Sequence, residues 1–139
     1  MNTLELSTTL RTIISALHKG LRKQVYSEHN YSLTEMATIG YLMRNEKLLP
    51  TELAGFTRVK TQSMSQILKK LESNGMIKRV PSKEDKRKVF IALTPFGKKM
   101  VEKTRYDRDE WLKELIEKKL SVKEITLLEN TVAVLNKLL

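Results

Sequence analysis

The 139 residues, 40% hydrophobic and 30% charged with only 5 Gly and 3 Pro, have the make-up of a folded chain with a real core, which excludes wholesale disorder. With 0 Cys, disulfides, thiol switches and thiolate zinc sites are excluded, and no apolar run approaches the roughly 20 residues of a membrane helix. The net charge of +10 sits in the middle: residues 1–55 hold 6 Lys/Arg against 5 Asp/Glu, residues 56–105 hold 14 against 4, and residues 106–139 hold 6 against 7. A basic stretch flanked by neutral ones points to a polyanionic partner. The opening MNTLELSTTL carries no export signal, so a cytoplasmic protein without a membrane partner is expected.

In chain order, Leu10, Ile14, Leu17, Leu21 and Val25 recur at steps of three and four, which predicts one apolar stripe on a helix over about residues 4–28. Ser32-Leu-Thr-Glu35 reads as a capping box opening a helix to about Glu46, with Met36, Ile39 and Met43 along one side. Pro50-Thr-Glu opens a short helix with Leu53, Ala54 and Phe56. Another begins near Thr61, carries Met64, Ile67, Leu68 and Leu71, and stops at Gly75, where a left-handed residue is expected. Ile77–Val80 and Val89–Leu93 are short β-prone runs separated by the polar PSKEDKRK, a hairpin that forms a wing on the preceding helix-turn-helix. Thr94-Pro95 places a cap and a first-turn proline at the start of a helix reaching about Lys119, with Met100, Trp111 and Leu115 inward. Ser121-Val-Lys-Glu124 is a second capping box, opening a helix with Ile125, Leu128, Val132, Leu135 and Leu139.

The predicted fold is therefore mainly α with a small β-hairpin wing: a winged helix-turn-helix with long N- and C-terminal helices. The stripes on those terminal helices are satisfied by packing together in one chain or by a partner, and a two-fold homodimer is preferred. No repeat, linker or domain boundary is evident. The expectation is one domain over 1–139, with a DNA-binding lobe at 33–97 and dimerisation helices at 1–31 and 98–139.

At 100° per residue, Met64, Ile67, Leu68 and Leu71 cluster on one side of their helix. Gln62, Gln66, Lys69 and Ser73 fall opposite, with Ser63, Ser65 and Lys70 to the sides. Short polar groups and amides near a helix N-terminus suit the major groove, where Gln pairs with the N6 and N7 edge of adenine. Thr61, Gln62, Ser63, Ser65, Gln66 and Lys69 are the candidate readers, with Lys69 and Lys70 suited to backbone oxygens. In the hairpin, Lys83, Asp85, Lys86, Arg87 and Lys88 are candidates, because a basic tip on a thin finger fits a minor groove. Asp85 lies two positions before Arg87, close enough to hold its guanidinium. A solvated polar helix face and a merely solubilising charged hairpin remain the bland alternatives.

The stretch from Leu33 to Met100 resembles the MarR (multiple antibiotic resistance regulator) family of bacterial winged-helix regulators, most specifically in Gly75-Met-Ile, Asp85-Lys-Arg87 and Val89-Phe-Ile-Ala-Leu-Thr-Pro-Phe-Gly97. The flanking helix lengths match as well. The family's Asp-x-Arg pattern falls on Asp85 and Arg87, and the resemblance implies that Arg87 enters the minor groove. The recognition helix falls on about Thr61 to Asn74. The Asp-Pro usual near the hairpin entry is Pro81-Ser82 here. The resemblance also implies a two-fold dimer through the terminal helices, and a small amphipathic or aromatic effector that loosens DNA contact. Tyr26, Tyr31, Met36, Met43 and Trp111 are candidates for lining an effector site, against the simpler reading that they pack the core.

His18 and His29 are the only histidines and no carboxylate cluster accompanies them, so neither a metal nor any other cofactor is expected. No nucleophile–base set or phosphate-cradling Gly loop appears, and no catalysis is expected. The sequence points to a DNA-binding transcriptional regulator, a repressor by occlusion, acting as a homodimer on a near-palindromic duplex operator. The alternatives are a non-specific DNA-architectural protein and a winged-helix module that binds an acidic protein.

Overall fold

The computed structural model describes residues 1–24 and 31–139, and its element order follows the expected one. The elements are α1 (Thr3–Arg22), α2 (Leu33–Arg44), α3 (Pro50–Thr57), α4 (Thr61–Ser73), β1 (Ile77–Pro81), β2 (Val89–Leu93), α5 (Pro95–Lys119), α6 (Val122–Leu135) and a final 3-10 turn, Asn136–Leu138. They divide into two compact units, Met1–Val25 with Thr104–Leu139, and Tyr26–Lys103.

In the Tyr26–Lys103 unit, both expected signals at the ends of helices act through local hydrogen bonds. Ser32 Oγ accepts from the Glu35 amide at 3.1 Å while the Glu35 carboxylate accepts from the Ser32 amide at 3.2 Å, closing the capping box of α2. Glu52 reaches back in the same way to the Leu49 amide at 2.9 Å, and Pro50 opens α3. At the end of α4, Gly75 adopts φ 74°. Its amide donates to Glu72 O at 3.0 Å and that of Met76 to Leu71 O at 2.9 Å, the paired bonds of a Schellman ending. Met76 and Leu71 are both buried, supplying the apolar contact that accompanies this motif.

The core of this unit gathers Ile39 and Leu42 of α2, Leu53 and Ala54 of α3, and Met64, Leu68 and Leu71 of α4. Ile77 of β1 with Ile91 and Leu93 of β2 closes it from the hairpin side, and Val101 of α5 completes it. On α2 the buried face is Thr38, Ile39 and Leu42, with Met36 and Met43 only half-buried. The Thr38 hydroxyl is satisfied by donating to Thr34 O at 2.8 Å. β1 and β2 pair antiparallel with Ile77 opposite Leu93 and Pro81 opposite Val89. Leu48 adds a one-residue bridge to β2, its amide donating to Ile91 O at 2.9 Å and accepting through its own carbonyl from the Ile91 amide at 2.7 Å. Along β2 burial does not simply alternate: Ile91, Ala92 and Leu93 are all buried, since the base of the hairpin is covered on both faces.

The start of α5 locks this base. Thr94 Oγ1 accepts from the Gly97 amide at 2.9 Å and donates to the Gly75 carbonyl, so one hydroxyl serves as a helix cap and as a tie to the end of α4. A Cβ on Gly97 would collide with the Met76 carbonyl oxygen, so only glycine allows this approach.

In the other unit, α1 opens on a capping box formed by Asn2 and Glu5, each bond 2.9 Å long. The helix ends at Arg22, short of the expected residue 28, as the Gln24 amide turns back to Leu21 O at 3.1 Å in a tightened last turn. Val25 lies outside the described residues. Trp111 of α5 packs so closely on Gly20 of α1 that a Cβ there would strike its ring. Ser121 and Glu124 close the expected box of α6. Neither α1 nor α6 buries a single residue fully, and Leu4, Ile13, Ile14, Val122, Leu127 and Val134 stand exposed.

Candidate nucleic-acid interface

The apolar side of α4 is spent on the core, and this decides what its other side can do. Met64, Leu68 and Leu71 are buried, while Thr61, Gln62, Ser63, Ser65, Gln66, Lys69 and Ser73 are exposed. Hydroxyls and amides therefore occupy the first two turns of the outer face, with an ammonium beyond them. The first turn has no acidic residue, and Lys60 at the N-cap makes no side-chain cap bond. The positive end of the helix dipole is thus left to an outside anion.

Lys69 and Lys70 differ in a way their adjacency hides. Lys69 is exposed, whereas Lys70 reaches across to α2 and pairs with Glu35 at 2.9 Å, where the carboxylate is nearly covered. Its ammonium also lies 5.4 Å from the centre of the Tyr31 ring. The Tyr31 hydroxyl accepts from Asn74 Nδ2 at 3.0 Å. Burial pushes the Tyr31 pKa up, against the lowering effects of the Asn74 hydrogen bond and the Lys70 charge, so the phenol is neutral at ordinary pH. Lys70 thus braces α4 against α2. That role depends on a partner 35 residues away, which no local spacing reveals.

The tip between the strands is ordered by its own short polar side chains. Ser82 Oγ accepts from the amides of Glu84 at 3.3 Å and Asp85 at 3.2 Å, the turn-forming work that a side-chain oxygen does at a loop start. The departure at Pro81-Ser82 therefore keeps an oxygen in place. Asp85 then holds Arg87 through three bonds: its carboxylate accepts from the Arg87 amide at 3.0 Å, from Nε at 3.2 Å and from a terminal nitrogen at 3.4 Å. These bonds hold the Asp85 carboxyl below its ordinary pKa. The Arg87 side chain is 90% exposed, so a fixed guanidinium projects into solvent. Lys83, Lys86 and Lys88 around it are exposed as well. At the base of the hairpin, Arg79 Nε pairs with Glu72 at 3.3 Å and links β1 to α4.

Of the five candidates for effector contact, four lie among the described residues. Tyr26 lies outside the described residues, as does His29. Tyr31 and Met43 pack against the core of their unit, Met36 is half-buried in the same unit, and Trp111 belongs to the other. A groove of about 420 Å³ is lined instead by Ser32, Thr34, Glu35, Val59, Ser63, Gln66, Ile67 and Lys70. Among the described residues no three His, Cys, Asp or Glu side chains are grouped to hold a metal, and no helix is long and apolar enough to cross a membrane.

Residues 29–88 match the model of the MarR family. A protein of Mycobacterium bovis, named an uncharacterised HTH-type transcriptional regulator, is 30% identical over 83 residues, which are 60% of this chain and 58% of that one. A Bacillus subtilis protein similarly named is 25% identical over 97 residues, 70% of this chain and 58% of its own. The chain thus spans 58% of the length of these curated relatives. Among solved structures, a transcriptional regulator of Thermotoga maritima superposes with a TM-score of 0.80 at 19% identity, over 96% of this chain and 94% of that one. A MepR mutant of S. aureus bound to an oligodeoxyribonucleotide superposes with a TM-score of 0.77 at 24% identity, over 96% and 98%. At these identities the structural likeness establishes a shared winged-helix fold.

Proposed function

From the match of residues 29–88 to the MarR family model, we propose that the chain is a regulator of MarR type, binding double-stranded DNA sequence-specifically and acting as a homodimer. The observation that carries the reading is the pairing of an exposed hydroxyl- and amide-bearing face on α4 with an arginine held outward at the tip of a basic hairpin. Thr61, Gln62, Ser63, Ser65 and Gln66 meet base edges and nearby phosphates in the major groove, Lys69 the backbone, and Arg87 the adjacent minor groove, with Lys83, Lys86 and Lys88 along the phosphates.

In this reading residues 33–97 are the DNA-binding lobe, and 1–31 with 98–139 serve dimerisation. The many apolar side chains left exposed on α1 and α6 favour a second copy, because their burial in an interface is favourable. A two-fold dimer sets two recognition helices about 34 Å apart, so the operator is near-palindromic and repression follows from covering a promoter. Release by a small amphipathic effector finds a local route in the groove beside α4, whose occupant would share Ser63 and Gln66 with the duplex.

Genome-wide mapping of bound sites, with competition between a recovered site and random duplex, tests the proposal. One motif with a two-fold axis, bound at least about a thousandfold more tightly than random DNA, is expected. Equal competition by both duplexes would favour an architectural protein, and no binding at about 0.1 M salt would favour an acidic protein partner.

A further inference from the structure

The turn between α3 and α4 and the turn after α4 are built alike, and the chain fills them differently. After α4, the left-handed residue is Gly75, with amide bonds from Gly75 to Glu72 O and from Met76 to Leu71 O. After α3, Arg58 adopts φ 57° and ψ 42°, its amide bonding to Gly55 O at 3.3 Å and that of Val59 to Ala54 O at 3.1 Å. The same paired ending thus receives glycine once and arginine once. A Cβ in this backbone region approaches the following carbonyl oxygen, which is why glycine is the usual occupant and other residues there call for a reason. Arg58 is the single non-glycine with positive φ among the described residues.

No folding interaction explains the choice. The Arg58 side chain is exposed and, among the described residues, makes no hydrogen bond or ion pair. Its position is informative: it stands three residues ahead of Thr61, the first residue of α4, beside the exposed Lys60 that leaves the helix N-terminus uncapped. Two exposed cationic residues thus stand within three positions of the positive end of the helix dipole, where backbone amides already favour an anion.

We propose that Arg58 is a DNA-phosphate anchor at the mouth of the recognition helix, held in a left-handed backbone conformation that glycine would adopt with less strain. The assignment rests on the DNA-binding reading above and adds a positioning residue to it. Phosphate contact carries no sequence information, so Arg58 sets affinity and the docking of α4 while base choice stays with the helix face.

The test compares wild type, Arg58→Gly and Arg58→Lys by thermal melting and by titration of a random duplex of about 30 base pairs across a salt series. Arg58→Gly is expected to melt a few degrees higher, because the backbone strain is relieved. It should also bind DNA with a salt slope lower by about 0.9 per protomer, about an eightfold loss for each protomer engaged, and so about sixtyfold for a dimer, at about 0.1 M salt relative to 1 M. Arg58→Lys should keep the wild-type slope. An Arg58→Gly variant with wild-type affinity and slope overturns the Arg58 assignment alone, since a merely structural turn would leave the slope untouched. A wild-type chain that binds no duplex at any salt overturns the DNA-binding reading and this assignment with it.

Discussion

Asp85 is an acidic side chain in a region that otherwise collects positive charge, and its hydrogen bonds explain why it is there. An unrestrained arginine at an exposed tip must give up rotamer freedom when it enters a groove, at about 1–2 kcal/mol. Asp85 pre-arranges Arg87 by holding both its amide and its guanidinium. Asp85→Ala is therefore expected to leave the melting temperature unchanged while lowering the ratio of operator to random-duplex affinity, measured by competition titration. Arg87→Ala should go further, weakening both and reducing the salt slope by about one per protomer. The pH dependence follows from the depressed pKa of Asp85. The bonds it makes are fully present above the ordinary carboxylate range near about 4 and are lost as pH falls through the lower folded-state value. Binding should be insensitive to this group across neutrality, and only strongly acidic titration should release the arginine.

At the scale of elements, glycine tolerates two different demands, and alanine separates them. At Gly75 an added Cβ meets only the Phe96 ring at 3.7 Å, ordinary contact, so Gly75→Ala costs only the left-handed backbone, about 1–2 kcal/mol. At Gly97 the obstacle is the Met76 carbonyl, which cannot swing aside, so Gly97→Ala must part α5 from the hairpin base. A loss of about 3 kcal/mol is expected there, read from the denaturant midpoint at constant slope. The contrast also marks how far the sequence could be read. Capping boxes at Ser32 and Ser121, the Gly75 stop and the polar outer face of α4 were legible because each depends on neighbours within one helical turn. The Asn2–Glu5 box has the same spacing but opens on Asn rather than the Ser or Thr of the usual pattern. Arg58 in a left-handed turn was not legible, since only Gly and Asn advertise that backbone. The brace from Lys70 to Glu35 and the Tyr31–Asn74 bond join residues too distant in sequence for any periodicity to show. Tyr31 and Met43 pack on the core of their unit.

For the molecule as a whole, the unresolved demand of the sequence is a cover for the apolar side chains of α1 and α6. Substituting Ile14 and Leu128 together by Glu should convert a two-chain species into a one-chain species in sedimentation equilibrium. The wild-type melting temperature should climb with protein concentration and the variant's should not, as mass action requires of a dimer. A second consequence comes from the lone pairing of Leu48 with Ile91. That contact fastens the hairpin to the segment leading into α3 across 43 positions of chain, through two short bonds between buried residues. Solvent deuterium should therefore enter the amides of Leu48 and Ile91 only when the whole Tyr26–Lys103 unit opens. The amide of Lys86, on the exposed tip, should label far sooner. A finger shaped at its tip by its own side chains and rooted as firmly as the core can meet a groove without any loss of the fold beneath it.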